Sequence, residues 1–269
     1  MTPSSTYIHG INPGEQIRLS ILNELLNQRC LEKITLKPAA RILDVGSGLG
    51  LMTECLSKKS GPGGYCLGIE RDDEQIEKAQ KHQTPELEFR KGDAYQLPLK
   101  EDEIGSFDIV YSRFLLEHLS DPKRAIEEML RALKHGGQII LSDDDHQSMI
   151  LYPEPEGFQK LWTAYIDSYI TIGNDPFIGR KLPRLLLDNG CKEVRNDLVF
   201  FGDLAGSPTF EAYTKNLSEV IATARNLMIE NELISPDEYA SAMKNLITWT
   251  KMSHATAYYP LCIATGKKF

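Results

Sequence analysis

Arg41-Ile42-Leu43-Asp44-Val45-Gly46-Ser47-Gly48-Leu49-Gly50 is the stretch that decides the fold. A short apolar strand runs into three alternate glycines, and a helical run opens at Leu49. Because Gly46 and Gly48 lack a Cβ, the chain can turn sharply and a ligand can approach the main chain closely. A helix beginning there adds free amide groups and the positive end of a helix dipole. A carboxylate, a ribose or a phosphate suits such a turn, but so does a plain structural bend, and the neighbours have to decide.

Working outward, the second strand is Tyr65-Cys66-Leu67-Gly68-Ile69-Glu70, reached through the turn signal Gly61-Pro62-Gly63-Gly64. Its last residue is an acid. Strand, glycine turn, helix, strand and acid, spaced by about 20 residues, is how a doubly wound sheet holds an adenosine ribose through its hydroxyls. Two ligand classes fit: nicotinamide or flavin dinucleotides, and S-adenosylmethionine. The dinucleotide pattern needs a third glycine where Leu51 stands, and Gly50 comes one residue too early to let a pyrophosphate sit over the first helical turn. The spacing favours a ligand without pyrophosphate.

With these residues in place, the chain resembles the class I S-adenosylmethionine-dependent methyltransferases of the small-molecule type, through motifs in order from Arg41 to about Ser142. Isolated, Asp93 reads as a turn residue, Asp108 as a strand-edge charge and Gly136-Gly137 as a helix stop. Together they recur at the ligand end of successive strands, which turn chemistry alone does not require. The resemblance implies that Gly46, Ser47 and Gly48 lie against the methionine part of the cofactor, and that Glu70, flanked by Arg71, binds both ribose hydroxyls. Gly92-Asp93-Ala94 resembles the adenine-binding segment, with the Asp93 carboxylate accepting from the amino group and the Ala94 amide donating to a ring nitrogen. Phe107-Asp108-Ile109-Val110 resembles the fourth strand, and Ser112, Arg113 and a helix from Phe114 to Leu119 fall near the methionyl end. In similar proteins the N-terminal helix lies over the cofactor, which would bring Tyr7, Gln16 and Arg18 to the cofactor carboxylate or the substrate.

Periodicity extends the pattern. Strands are expected near 41–46, 65–70, 87–91, 107–112 and 137–142, with helices near 49–59, 73–82, 114–118 and 122–134. Such alternation implies a parallel sheet covered on both faces. Cys191–Phe201 and Thr256–Thr265 read as sixth and seventh strands, rich in β-branched and aromatic residues. Helical segments fall at Glu156–Ile172, Ile178–Asn189, Pro208–Glu232 and Pro236–Lys251. The expected fold is α/β: a Rossmann-like, doubly wound, seven-stranded and mainly parallel sheet with an antiparallel last strand, plus helical lid insertions. Residues 1–40 read as an N-terminal helical cap, whose helix Gly14–Cys30 has an apolar face of Ile17, Ile21, Leu22, Leu25 and Leu26. Residues 41–269 read as the methyltransferase domain, with lid insertions near 147–180 and 207–252.

Composition bounds the partners. The chain has 269 residues, a formal net charge of −8 and 41% hydrophobic content, ordinary usage for a globular protein with one elaborated domain. That acidic balance offers no broad basic face to a phosphate backbone, so nucleic acid is disfavoured and a small-molecule substrate fits better. The five cysteines are odd in number and scattered, without metal-ligand or redox spacing, and are expected to be reduced. No apolar run reaches membrane-spanning length and no signal sequence is visible, so a cytoplasmic location is expected. A homodimer is compatible with the sequence, which does not fix the oligomeric state.

Methyl transfer by in-line displacement is largely a matter of positioning, so a protein base is needed only for an acceptor such as a hydroxyl or an unactivated carbon. The candidates are His118, beside Glu117, and Asp145 and His146 in the run Asp143-Asp144-Asp145-His146 past the fifth strand. No metal site is assigned. Tyr152, Phe158, Trp162, Tyr165, Tyr169, Phe177, Tyr213 and Trp249 could line an apolar acceptor pocket, although the helical spacing of the central four also suits core packing. A cofactor binder without turnover, acting as regulator or partner subunit, is the alternative to an enzyme.

Overall fold

A computed structural model of the chain describes residues 13–269, leaving the side chains of residues 13–20 and 24 outside that description. In order, the first half comprises α1 (Pro13–Glu32), β1 (Arg41–Val45), α2 (Leu51–Ser60), β2 (Tyr65–Glu70), α3 (Asp73–Gln80), β3 (Leu87–Lys91), β4 (Phe107–Arg113), α4 (Pro122–Ala132) and β5 (Leu133–Asp143). The second half adds β6 (Ile150–Tyr152), α5 (Phe158–Thr171), α6 (Ile178–Asp188), β7 (Lys192–Phe200), β8 (Asp203–Leu204), α7 (Phe210–Thr223), α8 (Arg225–Glu230), α9 (Pro236–Trp249), β9 (Thr256–Tyr258) and β10 (Pro260–Lys267).

Seven strands form one sheet in the order β3-β2-β1-β4-β5-β10-β7. The first five run parallel, and β10 lies antiparallel between β5 and β7. This is the doubly wound, mainly parallel sheet with an antiparallel last strand. Chain order reverses between β1 and β4, which opens a crevice at the carboxyl ends of those strands, the place where open α/β sheets bind ligands. Period-two alternation explains the two-sided core. Ile42 joins the apolar cluster under α2, α5 and α7, whereas Leu43 and Val45 join the one under α4 and α6.

The second half departs from the expected strands and helices at definite points. The seventh strand is broken: β9 pairs with β6 and β8 in a separate three-stranded sheet, and only from Pro260 does the chain enter the large sheet. Tyr259 sits at the break, its carbonyl accepting from the Phe201 amide at 2.7 Å. The helix expected at 208–232 divides at the buried Ala224 into α7 and α8. The helix expected from Phe114 is only a 3-10 turn at Leu116–His118, because Phe114 takes a left-handed φ of 53° and the Asp143 carboxylate ties down the Leu116 amide at 3.0 Å.

Among the described residues of α1, Leu22, Leu26 and Cys30 are buried one turn apart, against α2 and α7. The side chain of Ile17 lies outside the described residues. No helix among the described residues is long and apolar enough to cross a membrane.

Candidate functional site

The crevice is a cavity of about 550 Å³ whose wall includes the chain just past β1, β2, β3 and β4. The turn after β1 is anchored by the Gly46 and Ser47 amides, which donate to the Ile69 carbonyl at 2.8 and 3.0 Å. Gly46 has a φ of 77°, and a Cβ there would come within 3.2 Å of Leu115, so a side chain would be strained as well as crowded. At the end of β2 the Glu70 carboxylate is fixed by three backbone amides: Gly48 at 2.9 Å on one oxygen, Arg71 at 2.7 Å and Asp72 at 2.8 Å on the other. Asp72 in turn caps α3 by accepting from the Gln75 amide. After β3, the Asp93 carboxylate accepts from the Tyr95 amide at 2.8 Å. Close approach of Pro98 and Ile69 leaves no room for a Cβ on Gly92.

Most of the residues singled out by sequence converge here: Gly46, Ser47, Gly48, Glu70, Arg71, Asp93, Ala94 and Arg113 all line the cavity. Ser112 does not, because it is buried in β4 with its hydroxyl donating to the Val45 carbonyl at 3.0 Å. Arg113 has a structural engagement as well: its guanidinium donates to the Asn23 and Asn27 side chains, both at 2.7 Å, and fastens α1 over the crevice. Tyr7 lies outside the described residues, as do the side chains of Gln16 and Arg18.

Asp44 is a lining residue that sequence reasoning passed over, though it stands inside the deciding stretch. Its carboxylate is buried and accepts from the Thr53 hydroxyl at 2.7 Å. Burial pushes its pKa up to about 6, with the Thr53 bond and the charge of Arg113 acting in the opposite direction. An acid within the buried run of a parallel strand was the available signal, since such a position is normally apolar.

Leu22, Phe114 and His118 form a wall shared with a second, smaller cavity of about 80 Å³. Its rim carries Trp162, Tyr165 and Tyr169 from α5, Tyr213 from α7, and Phe201 and Tyr259 from the chain flanking the small sheet. Of the aromatic residues expected around a pocket, Phe158 and Trp249 are instead core, Tyr152 is exposed, and Phe177 lies under the Arg180 guanidinium. Phe114, Phe201 and Tyr259 were not anticipated.

The polar groups of this second cavity are Glu117, His118, Asp144, His146 and Asn216. Glu117 faces both histidines, with His146 Nε2 at 3.2 Å from one oxygen and His118 Nε2 at 3.5 Å from the other. The Asn174 amide lies 3.2 Å from His118 Nδ1. His146 is nearly parallel to Tyr165 at 5.5 Å and edge-on to Tyr169 at 4.7 Å. Burial works against a charged imidazole, but the hydrogen bond and charge of Glu117 outweigh it and raise the His146 pKa above the usual value. Asp145 is turned away from this cavity. It forms a two-pronged ion pair with Arg180, and Asp144 takes the place in the wall that Asp145 was expected to hold.

Glu117, Asp144 and His146 present ligand atoms within 4.8 Å of one another, near enough for a divalent cation. The surroundings do not suit one. A metal-bound imidazole passes its other N–H to an acceptor, whereas His146 Nδ1 is buried with no partner among the described residues.

Residues 43–141 match the family model described as a methyltransferase domain. An uncharacterized methyltransferase of Schizosaccharomyces pombe is 33% identical over 162 residues, 56% of this chain and 56% of its own length. A demethylmenaquinone methyltransferase of Lactococcus lactis is 30% identical over 117 residues, 42% of this chain and 45% of its own. The chain spans about half the length of the curated relatives it matches. Among solved structures, phosphoethanolamine N-methyltransferase 2 of Haemonchus contortus, in complex with phosphomonomethylethanolamine and S-adenosylhomocysteine, superposes with a TM-score of 0.53 at 16% identity, covering 94% of this chain and 52% of that one. Residues 43–141 thus carry the matched methyltransferase domain, within a chain whose fold is shared with a solved methyltransferase.

Proposed function

We propose that the protein transfers a methyl group from S-adenosylmethionine to a small organic acceptor. One observation carries this reading: a nucleotide-type cavity and an aromatic pocket share a wall of Leu22, Phe114 and His118. A protein that only bound the cofactor has no use for the second pocket. The cysteines are all unpaired, which suits a reducing cytoplasmic location.

The donor cavity fits the cofactor on three counts. Glu70 offers a carboxylate already oriented by three amides, Gly46 leaves the turn open to close approach, and Asp44 is a buried acid in the cavity wall whose burial outweighs the charge of Arg113. In this reading Glu70 holds the ribose, Asp93 and Ala94 hold the adenine, and Asp44 holds the amino group. The bound cofactor supplies an electrophilic methyl carbon on a sulfonium sulfur. The chain supplies position: α1 covers the donor cavity through Leu22 and Asn23, and the insertions near 147–180 and 207–252 act as a lid that keeps water from the acceptor. Where the acceptor atom carries a proton, His146 is the candidate base, with Nε2–H held by Glu117 and Nδ1 without a partner among the described residues.

The direct test is incubation with methyl-labelled S-adenosylmethionine and a metabolite extract, followed by a search for labelled small molecules. Cofactor binding with no labelled product across a broad panel would sink the enzyme reading.

Asp44 gives a pH signature. Binding an ammonium selects the ionised carboxylate, and Asp44 loses its proton only above about 6 in the free protein. Affinity for S-adenosylhomocysteine is therefore expected to fall as the pH drops through 6, by up to about tenfold per pH unit. In Asp44→Asn the affinity should be lower and level across that range. A wild-type profile as flat as that of the variant would remove Asp44 from the amino-group site.

A further inference from the structure

We propose that the aromatic pocket beside the donor cavity is a site for an organic cation, with Asp144 as its anchor, so that the acceptor substrate carries a protonated amine. The proposal rests on the donor-and-acceptor reading above and deepens it.

The pocket's charge is one-sided. Its described lining includes two carboxylates, Glu117 and Asp144, and neither lysine nor arginine. Glu117 is engaged with His146 and His118. Even with His146 protonated and matched to Glu117, Asp144 is left without a counter-charge among the described residues. Its nearest sequence neighbours do not help: Asp145 takes up Arg180, and Asp143 is buried with one oxygen on the Leu116 amide. Asp144 Oδ1 is itself buried with no partner among the described residues, and a Tyr259 hydroxyl is the side chain that does bond the carboxylate. Burial and the charge of Glu117 push the Asp144 pKa up to about 7, despite His146 and the Tyr259 bond. An acid in that setting gains from any cation that enters.

The walls select the kind of cation. Aromatic faces attract an ammonium group through their quadrupole, and Trp162, Tyr165, Tyr169 and Tyr213 sit around this pocket. An anionic group would meet two carboxylates at low dielectric, with no lysine or arginine in the described lining to compensate. A metal ion is disfavoured by the His146 Nδ1 that lacks an acceptor among the described residues. An amine has neither difficulty, because its N–H groups can donate to Asp144 Oδ1.

The test is calorimetry on the full chain with S-adenosylhomocysteine already bound, using benzylamine, benzyl alcohol and benzoate as isosteric probes of positive, neutral and negative charge. Benzylamine is expected to bind at least about tenfold more tightly than benzyl alcohol, and benzoate not detectably. Asp144→Asn keeps the shape of the side chain and should abolish the preference for the amine while leaving S-adenosylhomocysteine affinity within about twofold. Equal binding of alcohol and amine, binding of benzoate, or an amine preference that survives in Asp144→Asn overturns the proposal. So does stoichiometric Mn²⁺ binding that Asp144→Asn removes, which would make the cluster a metal site. Failure of S-adenosylhomocysteine to bind in the first titration would instead refute the donor reading, and benzylamine titrated alone would still decide the cation site.

Discussion

Glu70→Ala is expected to weaken S-adenosylhomocysteine binding by about 2–3 kcal/mol, roughly 30- to 150-fold, in calorimetry at neutral pH. The carboxylate has both oxygens fixed by the Gly48, Arg71 and Asp72 amides, and little conformational freedom remains to be lost when a ribose arrives. Hydrogen bonds to an ionised acceptor are about twice as strong as neutral ones, and their removal from a partly enclosed wall leaves donors unmatched. Part of the loss is structural, because the amides of the glycine turn and of the chain entering α3 lose their common acceptor. Glu70→Gln separates the two parts. It keeps a carbonyl oxygen for the Arg71 and Asp72 amides but sets an NH2 against the Gly48 amide and has no charge, so it should lose less thermal stability than alanine while still binding about tenfold more weakly than wild type. Alanine-variant affinity within about twofold of wild type would show that Glu70 does not hold the ribose.

The donor half of the site was legible because its determinants are local. Glycines and acids at strand ends do their work through backbone turns a few residues long, so Gly46 and Glu70 could be singled out from their spacing and Asp93 from the family resemblance, and all three line one cavity. The acceptor half is assembled from the turn after β4, the end of β5, α5, α7 and the break before β10. Nothing in the sequence states how those segments meet. Asp144 and Asp145 show the limit most sharply. In an extended segment successive side chains point to opposite sides, so a shift of one residue decides which acid faces the pocket and which faces Arg180. Phe158, Trp162, Tyr165 and Tyr169 on α5 show it too: helical spacing put them on one stripe, but the wall of the pocket begins only at Trp162. The break at Tyr259 had one local signal, Pro260 at the entry to β10, which went unread because apolar and aromatic residues flank it, and the pairing partners of β9 and β10 reveal the two sheets.

Gly50→Ala is expected to destabilise the fold by about 3 kcal/mol, seen as a lower denaturation midpoint in urea with an unchanged slope. Gly50 precedes α2 with φ 81° and ψ 2°, the left-handed region, which costs alanine about 1 kcal/mol. The larger part is steric. A Cβ at Gly50 would fall 2.5 Å from Cζ and 2.6 Å from Cε1 of Phe89, and 3.3 Å from the Ala79 Cβ. Retreat of the ring is blocked, since Phe89 also lies against Gly68, where a Cβ would come within 2.6 Å of Cδ1. Phe89 is buried in β3, and the small residues Gly50, Gly68 and Ala79 leave the space that its ring fills. Overpacking of a buried ring typically costs about 1–3 kcal/mol. Combining Gly50→Ala with Phe89→Leu should therefore cost less than the sum of the single variants, by about 1 kcal/mol or more. Strict additivity, or a Gly50→Ala variant within about 0.5 kcal/mol of wild type, would show that the ring is free to move. The glycine that stands one residue too early for a dinucleotide is thus required by the packing of Phe89, on the side of the turn away from the ligand, and the donor cavity keeps its shape because that contact holds α2 against the sheet.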